Sequence, residues 1–433
     1  MNNFSLQLKI VKDTKYTGPK WSKIGYSAFG DFDFDGISDA IITVATPSGL
    51  GFQFLSGAME SSEVIPDFSN AKIIPLPTEI AQAGSSAVIG QFRIADFDMD
   101  GKIDMLFPAC AKLDCKDSSY IFILDFTNFK WKSIPLKLKP MGLDASWSSG
   151  IWSFTPISTD FKLSTSQLVG FSHGDANLDS FVDLTVGLTY WPSDGSKQVT
   201  VPAILLNENS LRFQAYLTPG FETPDTAVYQ MAFFDQNEDG VLDLWIVTGR
   251  NNFITAHLVK QTQSSNNYFL MVMILNGLCP SSAECNLAYG LPLPGSSASF
   301  NTYTIEGKLE NSTGVQTPLS TFNSLELPYI IFGLNELGNY IENVHAQIPD
   351  KKNRHLTRQT EFTVPDSQLV VNPWRVTLFL QPLYNMKVLF IAITLLSLCI
   401  ILASVIGVLQ YFERKEDQLE KMTEAQGFHF DSM

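Results

Sequence analysis

Four short apolar runs, each directly after an acidic stretch, dominate the pattern of hydrophobic and polar positions in the first 250 residues. They are 40–44, 105–107, 184–186 and 244–247, and they are rich in β-branched and aromatic residues. Runs of this length and composition are typical of buried strands and are too short for core helices. We therefore predict a mainly β protein in which each acidic stretch is a turn between two strands.

A much longer apolar run covers residues 388–409 and contains no charged residue. At about 1.5 Å per residue, a helix over this run spans roughly 30 Å, the thickness of the hydrocarbon core of a bilayer. A buried core helix is the alternative, but helices of that length in soluble proteins carry a polar face. Tyr384 and Tyr411 flank the run, as interfacial aromatic residues do. The pattern predicts one transmembrane helix over 386–410 and a cytoplasmic tail over 411–433.

The four acidic stretches share one nine-residue pattern, D-x-[DN]-x-D-[GS]-x-x-D, beginning at residues 31, 96, 175 and 235. So many carboxylates in so short a segment repel one another unless a cation lies among them. Oxygen ligands at alternating positions, with a glycine for the tight turn, suit Ca²⁺. A single copy could be a solvated acidic turn, whereas four copies favour bound calcium. The predicted ligands occupy positions 1, 3, 5 and 9 of each loop: Asp31, Asp33, Asp35 and Asp39; Asp96, Asp98, Asp100 and Asp104; Asp175, Asn177, Asp179 and Asp183; Asp235, Asn237, Asp239 and Asp243.

These loops are not EF-hands, which need a bidentate glutamate at position 12 and a helix on either side. Position 12 is apolar in all four loops: Ile42, Phe107, Val186 and Ile246. We also expect the loops to differ in affinity. Loop three has Ser180 where the others have glycine, and it has Asn177 in place of an aspartate, so we predict that it binds calcium most weakly.

The intervals of 65, 79 and 60 residues between loops suggest radial repetition of four-stranded sheets, a β-propeller. With Phe29 and Gly30 in front, the first loop resembles the FG-GAP repeat of integrin α-subunit propellers. We place these repeats in residues 1–262, which is enough for four blades and fewer than the six or seven of a complete propeller. The first 25 residues have no apolar core of a signal peptide, so we expect the sequence to be incomplete at its N-terminus.

Charge and cysteine usage bear on partners and compartment. The net charge is −15, and no basic stripe is available to neutralise phosphates, so a nucleic-acid partner is disfavoured. Loops without the position-12 glutamate suit the millimolar calcium outside the cytosol. Two local cysteine pairs predict disulfides, and two sequons predict N-glycosylation, which together place residues 1–385 on the extracellular or lumenal side. The pairs are Cys110 with Cys115 and Cys279 with Cys285, and the sequons begin at Asn311 and Asn3.

Residues 263–385 contain no further acidic loop, and their strand-like runs at 268–275, 329–332 and 374–380 predict a membrane-proximal antiparallel β-sandwich. The stretches 327–344 and 348–371, with the C-terminal residues 427–433, are similar to those of the T-cell immunomodulatory protein family, also called linkin. That resemblance implies a type I membrane glycoprotein of cell adhesion or surface signalling, with a protein ligand on the ectodomain. It also implies cytoplasmic partners such as tubulin or RuvB-like AAA+ proteins, and we assign their binding to Phe428, His429, Phe430 and Asp431.

None of the five histidines lies in a catalytic motif, so we predict a binding module rather than an enzyme. His173, two residues before loop three, is interpreted as a hydrogen-bonded neighbour of that loop. Two alternatives remain open at the level of sequence. One is a structural scaffold in a membrane complex, and the other is a propeller hydrolase.

Overall fold

The computed structural model describes a mainly β molecule with one long C-terminal helix. The described residues are 27–33, 37–46, 49–60, 63–67, 71–136, 147, 150–156, 168, 171–195, 197–209, 211–221, 227–250, 253–261, 267–276, 290–317, 325–336, 340–348, 356–372, 381–382 and 386–427. Residues 1–382 form one compact unit, and residues 383–433 form a second.

Four antiparallel sheets follow one another along the first 260 residues. The first contains β1 (Ser27–Gly30), β2 (Asp39–Thr46), β3 (Gly49–Leu55) and, after a hairpin of β4 (Gly57–Glu60) and β5 (Glu63–Pro66), β6 (Lys72–Pro75). Helix α1 (Thr78–Ala83) leads to the second sheet, which contains β7 (Val88–Ile89), β8 (Arg93–Ala95), β9 (Asp104–Cys110), β10 (Ser119–Asp125) and β11 (Lys130–Pro135). The third contains β12 (Ile151–Phe154), β13 (His173–Gly174), β14 (Asp183–Trp191), β15 (Val199–Asn207) and β16 (Phe213–Leu217). The fourth contains β17 (Ala227–Phe234), β18 (Asp243–Arg250) and β19 (Phe253–Val259).

Consecutive sheets pack face to face, and each shared core takes side chains from two neighbours. Phe52 of the first sheet meets Phe107 of the second, with ring centroids 5.6 Å apart. Phe97, at position 2 of loop two, is fully buried in the core that the second sheet shares with the third. Ala176, at position 2 of loop three, lies in the core that the third shares with the fourth. Gln236, at position 2 of loop four, is exposed.

Two further four-stranded sheets follow and share a separate core that includes Leu270, Val272, Phe300 and Val344. One contains β20 (Phe269–Ile274), β23 (Ile330–Gly333), β26 (Ser367–Val371) and β27 (Gln381–Pro382). The other contains β21 (Ser297–Tyr303), β22 (Leu309–Val315), β24 (Ile341–Ile348) and β25 (Leu356–Thr363). We call this pair of sheets the sandwich. The expectation of a purely antiparallel arrangement is wrong, because β20 and β26 pair in parallel. The strand expected over 374–380 lies outside the described residues.

Helix α2 (Met386–Gly427) is continuous over 42 residues. It includes the one helix among the described residues that is long and apolar enough to cross a membrane, over Phe390–Thr423. The helix does not end with the apolar run, since its charged residues 413–424 continue the same helical backbone. These residues have helix-forming side chains and no proline or glycine to interrupt the turns.

Candidate functional site: four acidic loops

Loops two, three and four adopt one conformation. In loop two the carboxylate of Asp96 accepts the backbone N–H of Asp100 at 3.2 Å and that of Gly101 at 2.9 Å. The carboxylate of Asp100 in turn accepts the N–H of Lys102 at 2.8 Å. The corresponding hydrogen bonds recur in loops three and four at 2.8–3.2 Å. In loop one, Asp35 lies outside the described residues.

Two positions in each of loops two, three and four have left-handed backbone conformations. Position 4 has φ of 58°, 58° and 54° at Met99, Leu178 and Glu238. Position 6 has φ of 82°, 77° and 82° at Gly101, Ser180 and Gly240. Glycine adopts this conformation without steric cost, whereas serine does not. Loop three therefore has the same backbone conformation as loops two and four, although serine is unfavourable at position 6.

Replacing Ser180 by glycine should stabilise the protein. The serine is 5% exposed, its φ is 77°, and its hydroxyl has no hydrogen-bond partner among the described residues. Removing the left-handed strain and the buried hydroxyl should raise the free energy of unfolding by about 1 kcal/mol, detected as a higher melting temperature in thermal unfolding.

Ser193→Gly is the matched control, because Ser193 is exposed in a turn between β14 and β15 and is not among the residues with positive φ. Glycine there relieves no strain and adds freedom to the unfolded chain, so the melting temperature should stay the same or fall slightly. A lower melting temperature for Ser180→Gly would show that the Ser180 hydroxyl has a stabilising role.

The position-9 aspartates tie each loop to the rest of its sheet. Asp39 accepts the N–H of Phe32 at 2.8 Å with one carboxylate oxygen and the N–H of Gly57 at 2.9 Å with the other. Asp183 accepts the N–H groups of Ala176 and Asn207, both at 2.8 Å, in the same way. The carboxylate of the position-9 aspartate thus joins position 2 of the loop to the end of the second strand after the loop.

Carboxylates converge in loops one and two. Ligand atoms from Asp31, Asp33 and Asp39 lie within 4.8 Å of one another, and so do those from Asp96, Asp98 and Asp104. Positions 1 and 9 are buried in all four loops: Asp31, Asp39, Asp96, Asp104, Asp175, Asp183, Asp235 and Asp243 are at most 6% exposed. One oxygen of Asp98 is buried with no hydrogen-bond partner among the described residues. Such an arrangement of oxygens fits a hard divalent cation such as Ca²⁺.

The electrostatics of the loops point in the same direction. Burial raises the pKa of Asp39 and of Asp96 to about 7 and that of Asp104 to about 8, and the neighbouring carboxylates contribute to these raised values. Burial also raises the pKa of Asp175 and of Asp183, which is increased again by the charge of adjacent aspartates. Ionising these groups together is unfavourable unless a cation compensates them.

Loops three and four have fewer converging carboxylates, because asparagine occupies position 3. Asn177 donates to Asp179 at 2.8 Å, and Asn237 donates to Asp239 at 2.7 Å. Each amide therefore occupies a carboxylate oxygen that a cation would otherwise share. This contact accords with the predicted order of affinities, which stays a prediction.

Sequence reasoning missed a buried charged cluster beside the loops. Arg93 of β8 lies 3.0 Å from Glu326, whose carboxylate also lies 3.4 Å from the imidazole of His173 in β13. The side chains of Arg93 and Glu326 are 3% and 6% exposed. Burial lowers the pKa of His173, and Glu326 opposes that shift. A signal was present in the sequence, since Arg93 interrupts the apolar run 92–95.

The remaining candidate residues are placed as follows. A disulfide joins Cys110 and Cys115, while Cys279 and Cys285 lie outside the described residues, as do Asn3 and the tail residues 428–433. Asn311 lies half-buried on β22, and its amide nitrogen is 2.7 Å from the position that a Cβ on Gly101 would take. A glycan on that nitrogen would have to displace loop two, so this arrangement disfavours the Asn311 sequon.

Comparison with known proteins identifies relatives along nearly the whole chain. The human T-cell immunomodulatory protein is 29% identical over 94% of this chain. The T-cell immunomodulatory protein homolog of Plasmodium falciparum is 25% identical over 93% of the chain, and the Caenorhabditis elegans protein linkin is 27% identical over 80%. The chain is therefore similar to members of the T-cell immunomodulatory protein family along nearly its whole length. The family model "ITFG1, C2 domain" matches residues 288–379, which hold most strands of the sandwich.

The match to the T-cell immunomodulatory protein family does not extend over the full length of its members. The chain spans 66% of the human relative, 61% of the Plasmodium falciparum relative and 57% of linkin. Among solved structures, a chain titled "Glycoside hydrolase" covers 69% of this chain with 8% identity and a TM-score of 0.23, and this chain covers 90% of it. At that TM-score the likeness supports no statement about fold or activity.

Proposed function

We propose that this protein is a single-pass membrane protein whose calcium-stabilised ectodomain binds a protein ligand in cell adhesion or surface signalling. The observation that carries the proposal is the common geometry of loops two, three and four, each of which joins two paired antiparallel strands of its sheet. A cation at this turn would hold together the two strands on either side of the loop. Rigid sheets of this kind present their connecting loops to a partner at low cost in conformational entropy.

We further propose that the four consecutive sheets are blades of a β-propeller with FG-GAP repeats. Each shared core joins one sheet to the next along the chain, as in radially arranged blades. Strands β8 and β13, which precede loops two and three, approach the same residue, Glu326, which accords with inner strands that surround a common axis. Residues 1–262 would form the repeats, and the sandwich would follow them along the chain before helix α2.

The proposed topology is type I, with residues 1–385 outside the cytosol and 411–433 inside it. Helix α2 supports a membrane span by its length and its apolar composition. An epitope tag at each end of the chain tests the orientation in intact cells. The N-terminal tag should react with antibody without permeabilisation, and the C-terminal tag only after it. The reverse pattern, or protection of both tags, would contradict the topology.

The cytoplasmic tail is proposed to bind a protein partner through Phe428 and Phe430. An aromatic side chain contributes about 1.5–3 kcal/mol when it is buried against a partner. Affinity capture should recover cytoplasmic partners with the intact chain and much less of them with Phe428→Ala/Phe430→Ala. Tubulin and RuvB-like proteins are the expected partners. Equal recovery by both chains would leave the aromatic pair without a binding role.

A structural scaffold within a membrane complex is the second candidate function, and the buried interface between the sheets and the sandwich favours it. Arg93 and Glu326 form a buried ion pair across this interface, within the residue 1–382 unit, which favours a fixed shape. A scaffold would retain its cytoplasmic partners without any ectodomain ligand. Capture with the ectodomain ligand present and absent therefore separates the two proposals.

A further inference from the structure

The acidic loops and the sandwich are in direct contact. We call the surface formed by residues 31–33, 37–39, 96–104, 175–183 and 235–243 the loop face. At loop two, the hydroxyl of Thr313 in β22 donates to the carbonyl oxygen of Gly101 at 2.8 Å. The backbone N–H of Asp96 donates to the carbonyl oxygen of Thr313 at 3.3 Å. One residue of the sandwich thus bonds to both the first and the sixth position of the loop.

Loop three makes a similar contact with a different part of the sandwich. The backbone N–H of Asn335 donates to the carbonyl oxygen of Leu178 at 3.1 Å. The side-chain amide of Asn267 donates to the backbone carbonyl oxygen of Asn177 at 3.0 Å. Gly333 packs so closely against the carboxylate of Asp175 that a Cβ would collide with it. Asp175 is only 2% exposed, so this face of loop three is closed to solvent.

Loops one and four also touch the sandwich. A Cβ on Gly295 would lie 3.3 Å from the hydroxyl of Ser38 in loop one. A Cβ on Gly240 of loop four would collide with the ring of Phe269, the first residue of β20. All four loops therefore lie on the side of the sheets that carries the sandwich. Glu326 enters among them and reaches Arg93 and His173.

The chemistry of this contact makes it dependent on loop shape. The sandwich and the segments beside it bind carbonyl oxygens at positions 3, 4 and 6, namely those of Asn177, Leu178 and Gly101. These carbonyls point outward only while the loop is wound about its centre, because positions 4 and 6 then have left-handed backbones. Without a cation the crowded carboxylates repel one another and favour unwinding. Unwinding would remove the acceptors that the sandwich binds.

We propose that cations in loops two and three control the docking of the sandwich on the loop face, so that removing calcium loosens the sandwich from the sheets. The proposal rests on the calcium sites proposed above. In addition, the calcium sites would stabilise the contact between the sandwich and the sheets as well as the sheets themselves. Calcium concentration would thereby set how rigidly the four sheets are held against the sandwich.

Amide hydrogen exchange of the full chain in detergent micelles tests this coupling at single bonds. Asn335 and Asp96 donate across the contact, whereas the neighbouring amide of Leu334 donates to Tyr268 on the sandwich side. Transfer from millimolar Ca²⁺ to EDTA should speed exchange at Asn335 and Asp96 at least about tenfold. Leu334 and the strand Ile341–Ile348 should be little changed, because their partners lie within the sandwich or directly beside it.

Calcium binding is measured separately on the same samples by isothermal titration calorimetry. Binding without any change in exchange at Asn335 would overturn the coupling and leave the calcium sites intact. Absence of binding would overturn both proposals. Equal acceleration at Asn335 and Leu334 would mean that the sandwich unfolds in EDTA, and this result also contradicts controlled docking.

A variant that leaves the loops untouched completes the test. Glu326→Gln removes the buried carboxylate from Arg93 and should speed exchange at Asn335 in the presence of calcium, with little change in calcium affinity. Glu306→Gln makes the same chemical change at an exposed position of the sandwich and should leave exchange unchanged. If both variants behave like the parent chain, Glu326 does not hold the sandwich on the loop face.

Discussion

Removal of calcium with EDTA should lower the melting temperature of the residue 27–382 part of the full chain by at least about 5 °C. Each site adds about 2.7 kcal/mol to the free energy of unfolding when free calcium is 100 times its dissociation constant, and 1 kcal/mol corresponds to about 2–4 °C in a domain of 150–250 residues. Calorimetry in detergent micelles with millimolar calcium or EDTA measures the difference. Identical melting in both buffers would show that the loops are not metal sites.

The difference between the melting temperatures in calcium and in EDTA should depend on pH. Burial raises the pKa of Asp39 and of Asp96 to about 7 and that of Asp104 to about 8, from an ordinary value of 3.8, and EDTA leaves no cation to offset these shifts. Groups with a raised pKa favour the folded state most at low pH, and this contribution is lost as the pH rises from about 4 to about 8. Bound calcium removes the need for protonation. The gap between the calcium and EDTA melting temperatures should therefore widen from pH 5 to pH 8.

Two controls give this prediction its specificity. Magnesium should not replace calcium, because it requires a small octahedral shell and retains its water ligands. Asp98→Ala removes one loop-two ligand, so it should reduce the effect of calcium by about the contribution of one site, again about 2.7 kcal/mol at that concentration. A complete loss of the calcium effect in this variant would instead indicate that the four loops act as a single cooperative unit.

Phe97→Ala should destabilise the protein by about 3–5 kcal/mol and lower its melting temperature by roughly 10 °C. The ring is fully buried between the second and third sheets, and neighbouring strands on both sides limit collapse into the cavity. The backbone carbonyl of the same residue accepts the side-chain amide of Asn207 at 2.9 Å, so relaxation is restricted further. Thermal unfolding in saturating calcium measures the loss.

Gln236→Ala is the matched control, because Gln236 holds the same loop position in the fourth sheet but is exposed. A surface substitution of this kind should change the free energy of unfolding by no more than about 0.5 kcal/mol. If Phe97→Ala and Gln236→Ala have equal effects, position 2 is not where consecutive sheets join.

Local features of the fold followed directly from the sequence. The four apolar runs after the acidic stretches are strands β2, β9, β14 and β18, because β-branched side chains directly after a tight turn have few other favourable conformations. The left-handed backbone at position 6 also depends on local sequence, and Ser180 adopts it as its place in the pattern indicated. The helix over 386–410 followed from the absence of charge alone, and its continuation to Gly427 accords with helical charge spacing.

Features that depend on distant residues were not predictable in this way. The parallel pairing of β20 with β26 is decided by how the chain crosses the sandwich, which the pattern of either strand leaves open. The bond from Thr313 to Gly101 joins residues 212 positions apart. Arg93 and Glu326 are far apart in the sequence, and only the tertiary fold brings them to 3.0 Å.

The shared cores restrict how such a protein can change through gene duplication and deletion. Each core between consecutive sheets takes side chains from one repeat and from the next, and position 2 of a loop lies at the joint in loops one to three. A single repeat therefore cannot be deleted without bringing together two faces that did not evolve to fit each other. Duplicated repeats, by contrast, carry both matching faces with them. Lineages should gain and lose whole neighbouring repeats together, while variation in length accumulates in the connections at the periphery.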